Sequence, residues 1–324
     1  MPMNNKVIWT EGMFLRPQHL QQHDRYTEDL INGRCIGLKF YDRGFYNLRI
    51  DANLLKIGKL SLTECRGIFP DGTPFNLPGN DDLPQPLDIP EDTRNEIVYL
   101  AIPLRRSGAA ETDSAEGADS LARYRTGEIA VKDNNCGAEG ETPLLIGRLK
   151  TRLVLQKAER SGYACLGVAR IVETRADQNI ILDEHFIPAN LNCLAIPQLN
   201  GFLRELHGLL NTRGEAIAGR VATAGHGGVA EIADFLLLQI VNRYQPLFEH
   251  LSNTTGLHPE DFYRVAIQLA GELATFFRPE KRPAKLPGYD HDDLQVTFSP
   301  LMAELRELLG KVYQPTAIQI PLSK

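Results

Sequence analysis

The chain has 324 residues, 43% apolar and 23% charged, with 41 acidic against 35 basic side chains. That is ordinary globular composition and long enough for two cores, which excludes a disordered or coiled-coil chain. The basic residues are spread too thinly to form a phosphate-binding face for nucleic acid, and no eighteen consecutive residues are apolar enough to span a membrane as a helix. Five cysteines at positions 35, 65, 136, 165 and 193 lack paired spacing and read as reduced thiols of a cytoplasmic protein.

The first notable stretch is WTEGMFLRPQHLQQHDRY, Trp9 to Tyr26. It lacks the basic region and cleavage site of a signal peptide. Val7, Ile8, Trp9, Met13, Phe14 and Leu15 crowd six bulky apolar side chains into nine residues, and such a segment must find cover. Two covers are open: a first strand of the chain's own β-domain, or burial in a partner with Trp9 and Phe14 as aromatic anchors. His19 and His23 lie four apart, as zinc ligands on one helical turn do. Leu20, however, stands where the metalloprotease pattern has its glutamate. A helix from Pro17 to a stop at Asn32-Gly33 would instead pack His19, His23, Tyr26 and Leu30 onto the β-domain. No metal site is expected there.

From Leu38 to Ile187 short apolar runs alternate with turn residues, the grammar of an antiparallel sandwich or barrel. Strands are predicted at Gly44 to Ile50, GKLSLTECRGIF, EIVYLAIPL, GEIAVKD, LKTRLVLQK and YACLGVARIVET. The proline-dense FPDGTPFNLPGNDDLPQPLDIP is assigned to edges and loops, and the small, acidic Ser107 to Ser120 to a surface loop.

After HFIPANLNCLAIP the period becomes helical. Leu199, Phe202, Leu203, Leu206, Leu209, Leu210, Ile217 and Val221 form one stripe, and TAGHGGVAE breaks that helix. The second helix, EIADFLLLQIVNRYQPLFEHL, is apolar around too much of its circumference for a surface helix, which points to a neighbouring subunit; Pro246 should kink it. A third starts at Pro259, and a fourth is expected with Ser299 as N-cap and Pro300 at its first position. The four make a bundle. Between the last two, prolines 279, 283 and 287 force an extended connection leading to YDHDD, Tyr289 to Asp293. This lacks the ligand spacing of a calcium loop and reads as a solvated acidic turn or a hydrogen-bonded loop under the bundle. No nucleophile elbow or cysteine-protease signature occurs, so no enzyme and no cofactor are expected.

Six segments, in order, carry a resemblance: VIWTEGMFLRPQHLQQHDRY, GIFPDGTPF at 67–75, ARIVE at 169–173, FIPANLNCLAI at 186–196, PGYDHDDLQVTF at 287–298 and QPTAIQIPL near the end. The chain resembles the TssK family of type VI secretion baseplate subunits. The resemblance implies a cytoplasmic homotrimeric scaffold of α+β class. Residues 1–18 would be a docking segment, 19–188 a β-sandwich shoulder like that of phage receptor-binding proteins, and 189–315 a four-helix neck. Residues 316–324 would begin a linker to a C-terminal head domain, which family members carry beyond this point. Val7, Ile8, Trp9, Met13, Phe14, Leu15, Pro17 and Leu20 are expected to dock on the wedge proteins TssF and TssG. Phe235, Leu236, Leu237, Leu238, Val241 and Tyr244 are expected to pair the subunits, and the head would contact the membrane complex, with no membrane insertion by this chain. Two other functions compete: a carbohydrate-binding module like the phage proteins, and a zinc hydrolase using His19 and His23.

Overall fold

A computed structural model describes residues 4–106, 108–113, 121–135, 140–223 and 229–311. In chain order it holds α1 (Pro17–Leu38), β1 (Gly44–Ile50), α2 (Ala52–Leu55), β2 (Lys59–Leu60), β3 (Leu62–Ile68), β4 (Pro74–Leu77), β5 (Leu87–Asp88) and β6 (Arg94–Pro103). There follow β7 (Thr112–Asp113), β8 (Tyr124–Lys132), β9 (Glu141–Leu149), β10 (Arg152–Leu155), β11 (Tyr163–Thr174) and β12 (Ile180–Leu182). A short 3-10 turn at Cys193–Ala195 leads into α3 (Pro197–Thr223), α4 (Val229–Asn253), α5 (Pro259–Phe277) and α6 (Leu294–Gly310). The chain is mixed α+β.

Two apolar cores result, one built by strands from Phe45 to Ala189 and one by helices from Ile187 to Leu309. In the first, β1-β3-β4 form one antiparallel sheet and β10-β6-β11-β12 another, while β8 and β9 pair as a long ribbon. Alternation does the sorting: Val98, Leu100 and Ile102 of β6 all point into the core at period two. The predicted strands recur as β1, β2 with β3, β6, β8, β10 and β11. Besides the short β5, β7 and β12, two longer strands were not anticipated, β4 and most of β9, and each of these two contains a proline. Both lie at a sheet edge, where a missing N–H costs no ladder bond. Of the predicted 107–120 loop, residue 107 and residues 114–120 lie outside the described residues, as does Cys136; Thr112–Asp113 within it forms β7 beside Tyr124.

β1 is held tightly against the segment that leads into the helices. Gly44 has φ +122°, and a Cβ there would sit 2.7 Å from the Ala189 backbone carbonyl, whose oxygen accepts from Phe45 N–H at 3.0 Å. Only glycine tolerates both demands. Gly44→Ala is expected to destabilise the chain by about 2–3 kcal/mol, read as a lower urea midpoint.

In the second core α3 packs on α4 and α6, and α5 on α4 and α6. Phe262 of α5 meets one ring from each other helix: Phe202 at 5.6 Å, Phe248 at 6.3 Å and Phe298 at 5.5 Å between centroids. The α3 stripe faces inward as expected, with Leu209 and Val221 at its margin. The break in TAGHGGVAE falls mostly on residues 224–228, outside the described residues. α4 runs through Pro246 to Asn253.

Two helix ends differ from the sequence reading. α6 does not begin at Ser299: Asp293 caps it, its carboxylate accepting from Val296 N–H at 3.0 Å, and Pro300 lies inside. The apolar phase explains this, because Leu294, Phe298, Leu301 and Leu305 are all buried, and their burial outweighs the roughly 3 kcal/mol of an internal proline. α1 does not stop at Asn32-Gly33 but continues to Leu38, where Lys39 N–H closes on Cys35 carbonyl at 3.0 Å. A mid-helix glycine costs only about 1 kcal/mol, too little to end a helix that finds a later cap.

Candidate docking site: the N-terminal arm and helix α1

Residues 4–16 form an arm without strand or helix that doubles back along α1. Gly12, at φ +78°, makes the reversal possible, with Met13 N–H bonding Thr10 carbonyl at 3.3 Å. Asn4 Nδ2 then donates to Asp29 Oδ1 at 2.9 Å and Gln22 Nε2 to Asn5 carbonyl at 2.8 Å, so the arm runs antiparallel to the helix. Pro17 opens α1, and His19 Nδ1 accepts from Arg16 N–H at 3.0 Å, taking the place a glutamate holds in an ordinary capping box.

Trp9 lies 6.3 Å from both the His19 and the His23 rings. The histidine pair and the apolar segment are thus one feature: the imidazoles are the bed on which the indole rests. With His19 Nδ1 already engaged, the pair is poorly set to grip a cation. Among the described residues no three His, Cys, Asp or Glu side chains gather as a metal site requires.

The apolar side chains stay uncovered. Ile8 is 72% exposed, Trp9 50%, Phe14 80% and Leu15 57%, with Leu20 and Pro17 exposed beside them and Val7 and Met13 half-buried. A first strand inside the chain's own sheets is therefore not what the arm forms. Nor does α1 pack its His19–Leu30 face on the strands as expected, since it buries no residue at all. Its contacts with the strand domain include a Glu28–Arg105 ion pair and the close approach of Asn32 to Gly72. Clefts of about 670 and 560 Å³ flank that ion pair. Ile31, Ile36, Leu38 and Phe40 extend the exposed apolar surface. Sequence reading missed these four because their spacing, 31-36-38-40, follows no helical stripe.

The α4 residues divide. Leu237, Val241 and Tyr244 turn into the chain's own helical core and are fully or almost fully buried there, so they cannot also face a second subunit. The correction follows from the 3.6-residue period: positions 237, 241 and 244 share the inner face. Phe235, 61% exposed, and Leu236, 46% exposed, point outward with Ile232, and Leu238 lies at the margin.

Tyr289–Asp293 is the hydrogen-bonded loop rather than the solvated turn. His291 is 1% exposed; its Nε2–H donates to Arg43 carbonyl at 2.7 Å and its Nδ1 meets Tyr289 hydroxyl at 2.7 Å. It stacks on His258, 5.3 Å away and 7° from parallel, whose Nε2–H donates to Tyr41 carbonyl at 2.8 Å. Burial drives both imidazole pKa values down, that of His291 to about 4, and pushes the Tyr289 phenol up.

Two apolar cores, a buried histidine seam between them and an uncovered aromatic arm define a two-core α+β protein. The family model for bacterial type VI secretion (EvfL, ImpJ, VasE) matches residues 19–324, and the chain belongs to that family. It is 48% identical over 322 residues to the type VI secretion system baseplate component TssK1 of Pseudomonas aeruginosa, covering 99% of this chain and 72% of that protein. A crystal structure of TssK superposes with a TM-score of 0.93 at 39% identity, covering 99% of this chain and 72% of that one. The TssK of a TssK-TssF-TssG baseplate subcomplex matches with a TM-score of 0.84 at 26% identity, covering 95% of this chain and 99% of that one.

Proposed function

We propose that this chain is a non-enzymatic, cytoplasmic adaptor of the type VI secretion baseplate, which acts as a homotrimer and links the wedge proteins TssF and TssG to the membrane complex. The strand domain serves as a sandwich-like shoulder and α3–α6 as a four-helix neck. The outward Phe235 and Leu236 of α4 pair the subunits, and the link to the membrane complex runs through a head domain C-terminal to the neck. The arm docks on the wedge, presenting Ile8, Trp9, Phe14, Leu15 and Leu20, with Val7, Met13 and Pro17 shaping it. One observation carries this reading: Trp9 and Phe14 stand in solvent on an ordered support, a cost that is recovered only when a partner covers them. Three arms on one trimer would raise the effective concentration of each for a partner that engages several.

Losing a buried aromatic anchor costs about 2–4 kcal/mol at an interface. Trp9→Ala with Phe14→Ala is therefore expected to weaken capture of a TssF–TssG complex at least about a hundredfold, measured by co-purification and titration. Its mass in solution should stay that of the unaltered protein. Capture at native yield would show the arm to be idle.

A further inference from the structure

α1 buries no side chain, and its contacts with the strand core include the Glu28–Arg105 ion pair, with clefts on either side of it. Its C-terminal end is held very differently. Residues 39–43, which join α1 to β1, bond outward to the helical core, among the described residues: Lys39 Nζ to Asp261 at 2.5 Å, Tyr41 carbonyl to His258, and Arg43 through its carbonyl to His291 and its guanidinium to Asp292 at 2.8 and 3.2 Å. The Tyr41 ring closes the seam, stacking on His291 at 5.2 Å and meeting Tyr289 edge-on at 5.0 Å. The His258 tautomer is fixed by its surroundings, because Nδ1 accepts from Glu260 N–H at 3.1 Å and only Nε2 can carry the proton given to Tyr41.

We propose that α1 and its arm form a lever fastened to the helical neck by the Tyr41–Arg43 clamp, standing off from the strand domain that follows it in sequence. A load taken up at the arm then reaches the starts of α5 and α6 through residues 39–43, ahead of the strands that follow in sequence. Arm and neck move as one body. The consequence for the baseplate rests on the docking role above; the lever itself is a property of the isolated chain and is tested without partners.

The test is spin-label distance measurement on the full chain, with one label on the native, exposed Cys35 and the second on Asn242→Cys in α4, Cys136 and the half-exposed Cys165 being replaced by serine. Three backgrounds are compared: unaltered, Glu28→Gln, which removes the ion pair to Arg105 of the strand domain, and Asp261→Asn with Asp292→Asn, which removes both clamp ion pairs without touching the buried rings. A further variant adds His291→Asn. The expected result is a narrow Cys35–Asn242→Cys distribution in the first two and at least a twofold broadening in either clamp variant. The proposal is overturned if Glu28→Gln broadens the distribution as much as the clamp variants do, or if neither clamp variant broadens it. Loss of wedge capture with an intact narrow distribution would strike the docking role and leave the lever standing.

Discussion

Replacing Phe262 with alanine should lower the stability of the helical core by about 3–5 kcal/mol, the cost of a large buried ring lost together with the cavity it leaves. The position is unusual in that its ring is fully buried and touches Phe202, Phe248 and Phe298, one from each of α3, α4 and α6. Each of those rings is buried on its own helix, so the surroundings can collapse into the void only in part. The helix that carries Phe262 is well founded at that end: His258 caps it, Pro259 opens it, and Glu260 and Asp261 sit in the first turn, where the dipole favours them. The loss therefore stems from packing and not from fraying. Set against a total of roughly 5–15 kcal/mol for a domain, it is enough to populate the unfolded helical core measurably. Urea unfolding followed by far-ultraviolet circular dichroism gives the midpoint; a loss below about 1 kcal/mol would mean that the three rings close the gap.

How much of this was legible in the sequence depends on whether a feature is local. Gly44–Ile50 and Tyr163–Thr174 were read to the residue because alternation, bounded by turn residues, is a local signal. The α3 stripe was read for the same reason. β4 and β9 were not, since proline vetoes a strand locally and edge position is a property of the sheet. The start of α6 was misplaced because Ser299-Pro300 is as good a local start as Asp293; the choice is made by burial of Leu294 and Phe298, which only the packed helical core supplies. At the arm, sequence supplied the apolar residues and the spacing of His19 and His23 but set them against each other as rival readings. Their contact through Trp9 needed the reversal at Gly12. His258 and His291 lie 33 residues apart and Tyr41 far upstream of both, so nothing in spacing could have announced their stack.

That stack makes the chain acid-sensitive. His291 is held neutral by burial, its pKa pushed from the usual 6.5 down to about 4, and His258 moves the same way for the same reason. Asp292 and Asp261 pull towards protonation, whereas Arg43, Lys39 and the facing imidazole oppose it. In the unfolded chain both rings take up a proton near pH 6.5, so between that value and about 4 the unfolded state binds more protons than the folded one. Stability is therefore full above pH 6.5 and falls as the pH drops towards 4, by roughly 3 kcal/mol for His291 alone. The urea midpoint of the unaltered chain should decline through this window. His291→Asn should be less stable at pH 7.5, having lost the bond to Arg43 carbonyl and the stack, yet its midpoint should fall less steeply from pH 6.5 to 4.5, keeping the part due to His258. A slope equal to that of the unaltered chain would show that the proton goes elsewhere and that the seam between the two cores is held by shape, not by charge state.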